Sequence, residues 1–299
     1  MKEIKKGLHL GKPATANYWS LQLSLEETVT NLEKADSHFE FGKNWTDFLN
    51  VVEEAHKANA VVGMRRLFPD DDLRGMTFLD VGCGSGLHSL AAARLGAAAI
   101  LATDIDGNSV SATRNTLAEV DGKTPWVAQC ISVFDLPPER FDIVYSWGVL
   151  HHTGDMWRAI RTAAERVKPG GLFAVALYRK TPFCWAWRFE KAAYTAAPDW
   201  LRAPWRWGFM LVNLLAVAIV RRRNPYTWVR EYKERRGMSF RHDINDWLGG
   251  YPYESAAAAE VDTFMQDRGF SRVRAFIKKS PAFGLFGSGC DEFVFRRQA

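Results

Sequence analysis

FLDVGCGSGLHSLAAARLGA, residues 78–97, is the stretch that decides the fold. A short apolar run ends at Asp80, glycines follow at the alternate positions Gly82, Gly84 and Gly86, and a helical pattern rich in Ala and Leu then begins. Because glycine has no Cβ, a glycine-rich loop between a strand and its helix lets the backbone approach a ligand closely. The stretch predicts a ligand-binding loop after the first strand of an α/β sheet.

Apolar segments alternate with helical patterns through the middle of the chain. Helices are predicted at 86–95, 107–119 and 155–167, and strands at 77–81, 98–103, 126–131, 141–146 and 171–178. Such alternation indicates a parallel, doubly wound sheet with right-handed crossovers. Near the end of the chain, a helix is predicted at 256–268, followed by strands at 270–278 and 291–297 that are expected to pair as an antiparallel hairpin.

These elements predict four segments. Residues 1–70 form an N-terminal helical cap, residues 71–179 form a core that binds a cofactor, residues 180–255 form a helical insertion that acts as a lid and binds substrate, and residues 256–299 complete the core sheet. The predicted fold is α/β, with a doubly wound, seven-stranded, mostly parallel sheet whose last two strands form the antiparallel hairpin.

Composition narrows the kind of protein. Hydrophobic residues make up 47% and charged residues 24%, which is ordinary for a soluble globular protein. The net charge of +5 permits an anionic partner, but the basic residues are scattered, so nucleic-acid binding is not favoured. The cysteines are far apart, which argues against zinc or disulfides, and the longest apolar run, 209–220, is too short to span a bilayer. A soluble, cytoplasmic protein is expected.

The spacing of the loop limits its ligand. The chain has no GxxxxGK[ST] phosphate-binding sequence, and its glycines are one residue too close for the GxGxxG dinucleotide pattern. Asp80 would repel a pyrophosphate but suits a ligand that carries ammonium and sulfonium charges. At the end of the second strand, Asp104 is placed to accept both hydroxyls of a ribose. These features favour S-adenosylmethionine over a nicotinamide dinucleotide.

Four motifs in this order, LDVGCGSG, ATDID, FDIVYSWGVLHH and VKPGGLF, resemble those of class I S-adenosylmethionine-dependent methyltransferases, which are Rossmann-like. The resemblance is to the small-molecule, natural-product or glycan-pathway type, and it covers about residues 77–178 and the final hairpin. It implies that Gly82, Gly84 and Gly86 back the methionine part of the cofactor, and that Asp104 holds the ribose. It implies that Asp80 orders the loop or acts through an intermediary.

The remaining residues expected to bind the cofactor follow the other strands. Either Ser132 or Asp135 is expected to read the adenine edge. The other residues of this predicted site are Cys83, Ile105, Val133 and Trp147. In the cap, Lys43 and Trp45 either fold over the cofactor or belong to a turn between helices.

Two adjacent histidines follow the fourth strand, beside the expected position of the reacting methyl group. An oxygen acceptor must lose a proton during transfer, so a nearby imidazole is a candidate general base. Because adjacent side chains diverge, at most one of His151 and His152 faces the ligand. No other His or carboxylate lies at ligand spacing from the pair, so no metal is expected.

Residues 238–254 are predicted to be an ordered loop, and within them the sequence RHDINDWLGGYPYE, residues 241–254, is rich in polar and aromatic residues. It either lines an acceptor pocket or packs as a wedge between elements. His242 and Asp243 are further candidate bases. The predicted substrate-binding residues are Arg241, Asp246, Trp247, Tyr251, Tyr253 and Glu254.

Tryptophans concentrate within residues 183–228. A helical lid with buried aromatic side chains is the plainest interpretation, and a hydrophobic substrate tunnel or contact with a membrane surface are the alternatives. Three arginines at 221–223 follow the apolar run; they either favour anionic headgroups or form a solvated helix end.

The resemblance implies methyl transfer by in-line displacement to a small-molecule acceptor, with a hydroxyl or carboxyl oxygen expected and S-adenosylhomocysteine as the product. The alternatives are methylation of RNA or of a protein nitrogen, and a homologue that binds cofactor without catalysis. A biosynthetic enzyme, monomeric or homodimeric and without a transmembrane span, is expected.

Overall fold

The computed structural model describes residues 54–68, 73–219, 222–232, 240–277, 284 and 287–299. Its centre is one seven-stranded sheet with the order β3-β2-β1-β4-β5-β7-β6. The strands are β1 (Thr77–Val81), β2 (Ala99–Asp104), β3 (Trp126–Cys130), β4 (Phe141–Trp147), β5 (Val167–Tyr178), β6 (Phe270–Phe276) and β7 (Cys290–Arg297). Strands β1 to β5 pair in parallel, and β7 is antiparallel to both β5 and β6. The predicted sheet and its antiparallel hairpin are confirmed.

Helices follow the strands of the core and fill the insert. The described α-helices are α1 (Glu54–Leu67), α2 (Leu87–Arg94), α3 (Gly107–Leu117), α4 (Met156–Glu165), α5 (Cys184–Ala196), α6 (Asp199–Ile219), α7 (Pro225–Arg230), α8 (Phe240–Gly249) and α9 (Ala258–Gln266). Acidic N-caps start two of the core helices: Asp106 accepts from the amide of Asn108, and Asp155 from that of Arg158. None of the described helices is both long enough and apolar enough to cross a membrane.

Both faces of the sheet are covered, as expected for parallel strands. All five residues of β1 are buried. Because side chains alternate along a strand, Phe78 joins one apolar cluster with Ile143, while Leu79 joins the cluster on the opposite face with Val144. Burial on both faces gives β1 a fixed register and a fixed position for the loop that follows it.

The insert is formed by α5, α6, α7 and α8. These helices share a separate apolar cluster, which includes Tyr194, Val217, Trp228, Phe240 and Leu248. The chain leaves the core and returns to it at one place, because Arg179 and Ala256 form an isolated parallel bridge. The amide of Ala256 donates to the carbonyl of Tyr178 at 3.0 Å.

Two local predictions were wrong. Residues 240–249 are helical rather than an ordered loop, because Phe240, Ile244 and Leu248 recur every four residues and are buried in the insert. Strand β5 begins at Val167 rather than at residue 171. The preceding helix has already ended at Glu165, so the KPGG sequence, residues 168–171, lies inside β5, which pairs with β4 through an irregularity between Phe141 and Ile143.

Candidate active site

In the sheet, β2 and β3 lie on one side of β1, and β5 lies on the other side of β4. The strand order therefore reverses between β1 and β4. In doubly wound sheets, ligands bind in the crevice at the carboxyl ends of such strands. The glycine loop follows β1 at this edge, and residues 148–152 follow β4. The two candidate groups, a ligand-binding loop and a histidine pair, therefore flank the same crevice.

The glycine loop has a backbone that other residues adopt with strain. Gly82, Gly84 and Gly86 have φ angles of +77°, +54° and +76°. A Cβ on Gly86 would lie 2.8 Å from the Cα of Thr113, and one on Gly82 would overlap the side chain of Val149. Glycine is therefore required at Gly82 and Gly86 both by the left-handed conformation and by close contacts.

Hydroxyl groups of α3 hold the loop in place. Thr113 Oγ1 donates to the carbonyl of Gly84 at 3.1 Å, and Thr116 Oγ1 donates to the carbonyl of Ser85 at 2.7 Å. Both threonines are buried. Neither was predicted from the sequence, although their spacing of three residues places them on one face of a helix that follows the second strand.

Asp80 is buried at the end of β1, where Ser89 Oγ donates to its Oδ2 at 2.6 Å. Burial, opposed by this hydrogen bond and reinforced by the charge of Asp104, raises the pKa of Asp80 to about 7. The carboxyl group of Asp80 is therefore hydrogen-bonded to α2, the helix that follows the loop.

Asp104 lies at the end of β2 and accepts hydrogen bonds from two backbone amides. The N–H of Gly84 donates to its Oδ2 and that of Asp106 to its Oδ1, both at 3.0 Å. Burial raises the pKa of Asp104 to about 6. A carboxylate has about four acceptor positions, so these two bonds fix the group while leaving it able to accept from hydroxyls.

Some of the other predicted cofactor residues are hydrogen-bonded or buried, and others are exposed. Ser132 Oγ accepts from the amide of Phe134 at 3.2 Å, Val133 is buried in the core, and Asp135 is exposed. The buried thiol of Cys83 is hydrogen-bonded to Thr113, and burial raises its pKa. Also exposed are Ile105, which directly follows β2, and Trp147, which is the last residue of β4.

The two histidines have different hydrogen bonds. His152 Nδ1 lies 2.7 Å from the carbonyl oxygen of Pro252. His151 is fully buried, and its Nδ1 accepts the backbone N–H of Tyr178 at 3.2 Å. Burial and the nearby charges of His152 and Lys191 lower the pKa of His151 well below its usual range. The two imidazoles are therefore held in different tautomers, a difference set by their backbone partners.

A buried cation lies at the junction of the insert with the sheet. Lys191 of α5 is fully buried, donates to the carbonyl of Trp247 and has its Nζ 3.7 Å from the centre of the Trp247 ring. Burial lowers its pKa to about 7, against the opposing influence of Glu190. Trp247 also packs against Tyr178, with the ring centres 5.6 Å apart. Lys191 was not predicted from the sequence, where it is one lysine in a helical pattern.

Residues 241–254 are only partly brought to this junction. Trp247 and Tyr253 pack against Tyr178 there, and Tyr253 donates to Ser288 Oγ at 3.0 Å. Glu254 Oε2 accepts the N–H of Met156 at 3.0 Å and so caps α4. Tyr251 is half-buried in the loop that follows α8.

Other predicted residues lie elsewhere or outside the described part. Asp243 accepts from Tyr232 within the insert, and Arg241 is exposed beside Trp207 and Met210 of α6. Outside the described residues and side chains fall Lys43, Trp45, His242 and Asp246. Among the described residues, no group of three His, Cys, Asp or Glu side chains is arranged to hold a metal.

Known proteins resemble the core of the chain. Residues 79–173 match the family described as "Methyltransferase domain". The ubiquinone biosynthesis O-methyltransferase of Methylobacterium sp. (strain 4-46) is 33% identical over 124 residues, which are 42% of this chain and 49% of that protein. The protein of the same name from Parvibaculum lavamentivorans is 30% identical over 173 residues, 57% of this chain and 66% of that protein. The chain thus spans about half to two thirds of the length of these relatives.

A similar solved structure is magnesium protoporphyrin IX methyltransferase (ChlM) from Synechocystis PCC 6803 with bound SAH, with 14% identity, 95% coverage of both chains and a TM-score of 0.48.

The sheet order, the loop and the family match together define the central part of this chain as a methyltransferase domain of the class I, Rossmann-like type. The resemblance stated from its four sequence motifs is confirmed.

Proposed function

We propose that the protein is an S-adenosylmethionine-dependent methyltransferase that transfers a methyl group by in-line displacement to an oxygen of a small-molecule acceptor. The observation that carries this proposal is the crevice itself, where a glycine loop and an amide-fixed Asp104 lie across from a histidine pair. The family match over residues 79–173 and the names of the O-methyltransferase relatives support it.

The donor half of the crevice fits the proposed cofactor. Bound S-adenosylmethionine supplies an activated sulfonium methyl group. The protein therefore has to align the acceptor with this group, exclude water and accept one proton from the acceptor. Gly82 and Gly86 let the loop pack closely against Val149 and Thr113, and Asp104 retains acceptor positions for ribose hydroxyls. The exposed side chains of Ile105 and Trp147 offer apolar surface for the nucleoside.

His152 is the better base of the pair. A carbonyl oxygen only accepts, so its contact with Pro252 requires the proton on Nδ1 and leaves the lone pair on Nε2 in the neutral ring. His151 uses its Nδ1 lone pair to accept from Tyr178 and is held neutral by burial. We assign proton removal from the acceptor hydroxyl to His152 Nε2, and the positioning of the β5 end to His151.

The insert supplies the acceptor half. Tyr178, Trp247 and Tyr253 form a set of packed aromatic rings beside the histidines. Aromatic surface next to a base favours a hydroxyl on a planar, quinone-like ring, in keeping with the names of the relatives. We propose that the insert closes over this acceptor as a lid, and that the enzyme is cytoplasmic, as a monomer or homodimer.

Calorimetric titration with S-adenosylmethionine tests the donor half. Asp104→Ala is expected to weaken binding at least about tenfold, since it removes a charge-assisted acceptor and releases the amide of Gly84. Asp121→Ala, at an exposed acid paired with Lys123, is the matched control and should bind normally. Normal binding by Asp104→Ala would refute the cofactor assignment. Transfer of labelled methyl groups to hydroxylated quinones then tests the acceptor.

A further inference from the structure

Helix α6 presents an apolar face to solvent. Trp200, Trp207 and Ile219 are 75%, 69% and 72% exposed. The exposed residues recur every three or four positions, so they form one stripe along the whole helix. The residues of this outer face are Trp200, Leu201, Pro204, Trp207, Gly208, Leu211, Val212, Leu215 and Ile219.

The opposite side of α6 is also apolar, but it is packed. Phe209, Leu214 and Val217 belong to the apolar cluster of the insert. The two arginines of the helix are drawn towards the protein, where Arg202 donates to the carbonyl of Tyr194 at 3.2 Å and Arg206 to Asn245 at 3.2 Å. The outer face is therefore apolar along its full length, the reverse of the pattern of a solvated helix.

Aromatic and basic side chains lie on the neighbouring elements. Trp185 and Phe189, one turn apart on α5, are each 74% exposed, and Tyr226 at the start of α7 is 76% exposed. Beyond the end of α6, Arg222 and Arg223 are exposed, and so is Arg230 at the end of α7. The only acid of α6 is Asp199, its first residue, which is paired with Arg202.

We propose that the outer face of α6 docks on an anionic lipid membrane, with the helix lying in the plane of the surface. The apolar stripe matches the acyl boundary, the tryptophans match the headgroup level, and the exposed arginines complement acidic headgroups. The helix does not span, since no described helix is long and apolar enough. Its 21 residues give a stripe about 30 Å long. This surface is independent of the reaction proposed above.

Sedimentation with lipid vesicles tests docking without any methyl donor. The full chain is mixed with vesicles of phosphatidylcholine alone or of phosphatidylcholine with phosphatidylglycerol, and the bound fraction is measured. Binding is expected to be stronger to the vesicles with phosphatidylglycerol. Leu211→Ser combined with Leu215→Ser should lower the partition coefficient to both at least about tenfold, because each leucine loses apolar contact. Arg222→Gln with Arg223→Gln should lower about tenfold the additional binding that phosphatidylglycerol provides. Binding of this variant to phosphatidylcholine alone should be unchanged.

Val62→Ser is the matched control, because Val62 is 64% exposed on the unrelated helix α1. It should bind vesicles like the unchanged protein, and all variants should keep the same melting temperature because the replaced side chains are exposed. Absence of vesicle binding by the unchanged protein would overturn the proposal, as would equal loss in Val62→Ser. So would an oligomer that Leu211→Ser and Leu215→Ser dissociate while vesicle binding stays unchanged, since a second copy would then occupy the face.

Discussion

His152 Nδ1 and the carbonyl oxygen of Pro252 lie 2.7 Å apart although 100 residues separate them in the chain. The contact ties the turn that follows β4 to the segment by which the insert returns to the sheet. A second bond runs beside it, from the amide of Glu254 to the carbonyl of His151 at 3.0 Å. The histidine pair is therefore positioned by the insert as well as by the core.

This contact leads to a prediction about His152. Replacing the imidazole by an amide in His152→Gln retains a donor for Pro252 but removes the base. Methyl transfer to a hydroxyl acceptor is expected to slow about 10²- to 10⁴-fold while binding of S-adenosylmethionine stays within about twofold. Steady-state kinetics and calorimetry measure the two quantities. An unchanged kcat would exclude His152 as the base.

Because Gly82 lies so close to Val149, adding one methyl group at this position should have a large effect on the stability of the fold. Gly82→Ala combines a left-handed backbone with overlap on Val149, and is expected to destabilise the fold by about 2–4 kcal/mol and abolish cofactor binding. Gly122→Ala is a matched control, because Gly122 also has φ +77° but no atom within 4 Å of an added Cβ. It should cost only about 1 kcal/mol. Urea unfolding of both variants gives the comparison, and equal losses would contradict the role of Val149.

Lys191 predicts a pH dependence of stability. Burial lowers its pKa from 10.5 to about 7, so between these values the unfolded chain binds a proton that the folded chain has released. The free energy of unfolding should therefore rise with pH across this window, by at most about 1.4 kcal/mol per pH unit, with no such gain below it. Lys191→Met should remove most of this rise, whereas Lys123→Met, at an exposed lysine, should not. Urea unfolding at about pH 7 and about pH 9 measures the slope.

Asp80 should have the opposite effect at lower pH, where the free energy of unfolding should fall as the pH rises. Its pKa is raised from 3.8 to about 7, so between these values the folded chain holds a proton that the unfolded chain has released. Its contribution to the free energy of unfolding should be greatest below 3.8 and should fall as the pH rises through this window. Asp80→Asn, which can still accept from Ser89, should be more stable than the unchanged protein by roughly 1–3 kcal/mol above neutral pH without ligand. Asp121→Asn is the exposed control. Equal stability of Asp80→Asn and the unchanged protein at about pH 8 would contradict a cost of ionising this buried carboxyl group.

The core was predictable because its signals are local. Asp80 and Asp104 lie within the last two residues of β1 and β2, the glycines follow β1 directly, and burial of a strand on both faces gives a continuous apolar run. The helix at 240–249 was missed because Gly249 and Gly250 and the many polar residues suggest a loop, whereas burial of Ile244 and Leu248 against other insert helices decides the outcome.

The side of the site that faces the acceptor was predictable only in part. Trp247 and Tyr253 were named from composition, but their partner Lys191 comes from a helix more than fifty residues earlier. Contacts between such distant segments depend on how the insert packs, and no local pattern specifies it. The anchors Thr113 and Thr116 were missed for a similar reason, since their acceptors are carbonyls some thirty residues away.

The bridge between Arg179 and Ala256 has a consequence for how the molecule can change. Because the insert begins and ends at adjacent points, its length and shape can vary while β5 and α9 stay in place. Gly84 and Ser85 are hydrogen-bonded to Asp104, Thr113 and Thr116 of the core, so exchanging the insert leaves these bonds intact. One core can therefore be combined with different inserts, and a new acceptor or a new cellular surface can be acquired without rebuilding the half that holds the methyl donor.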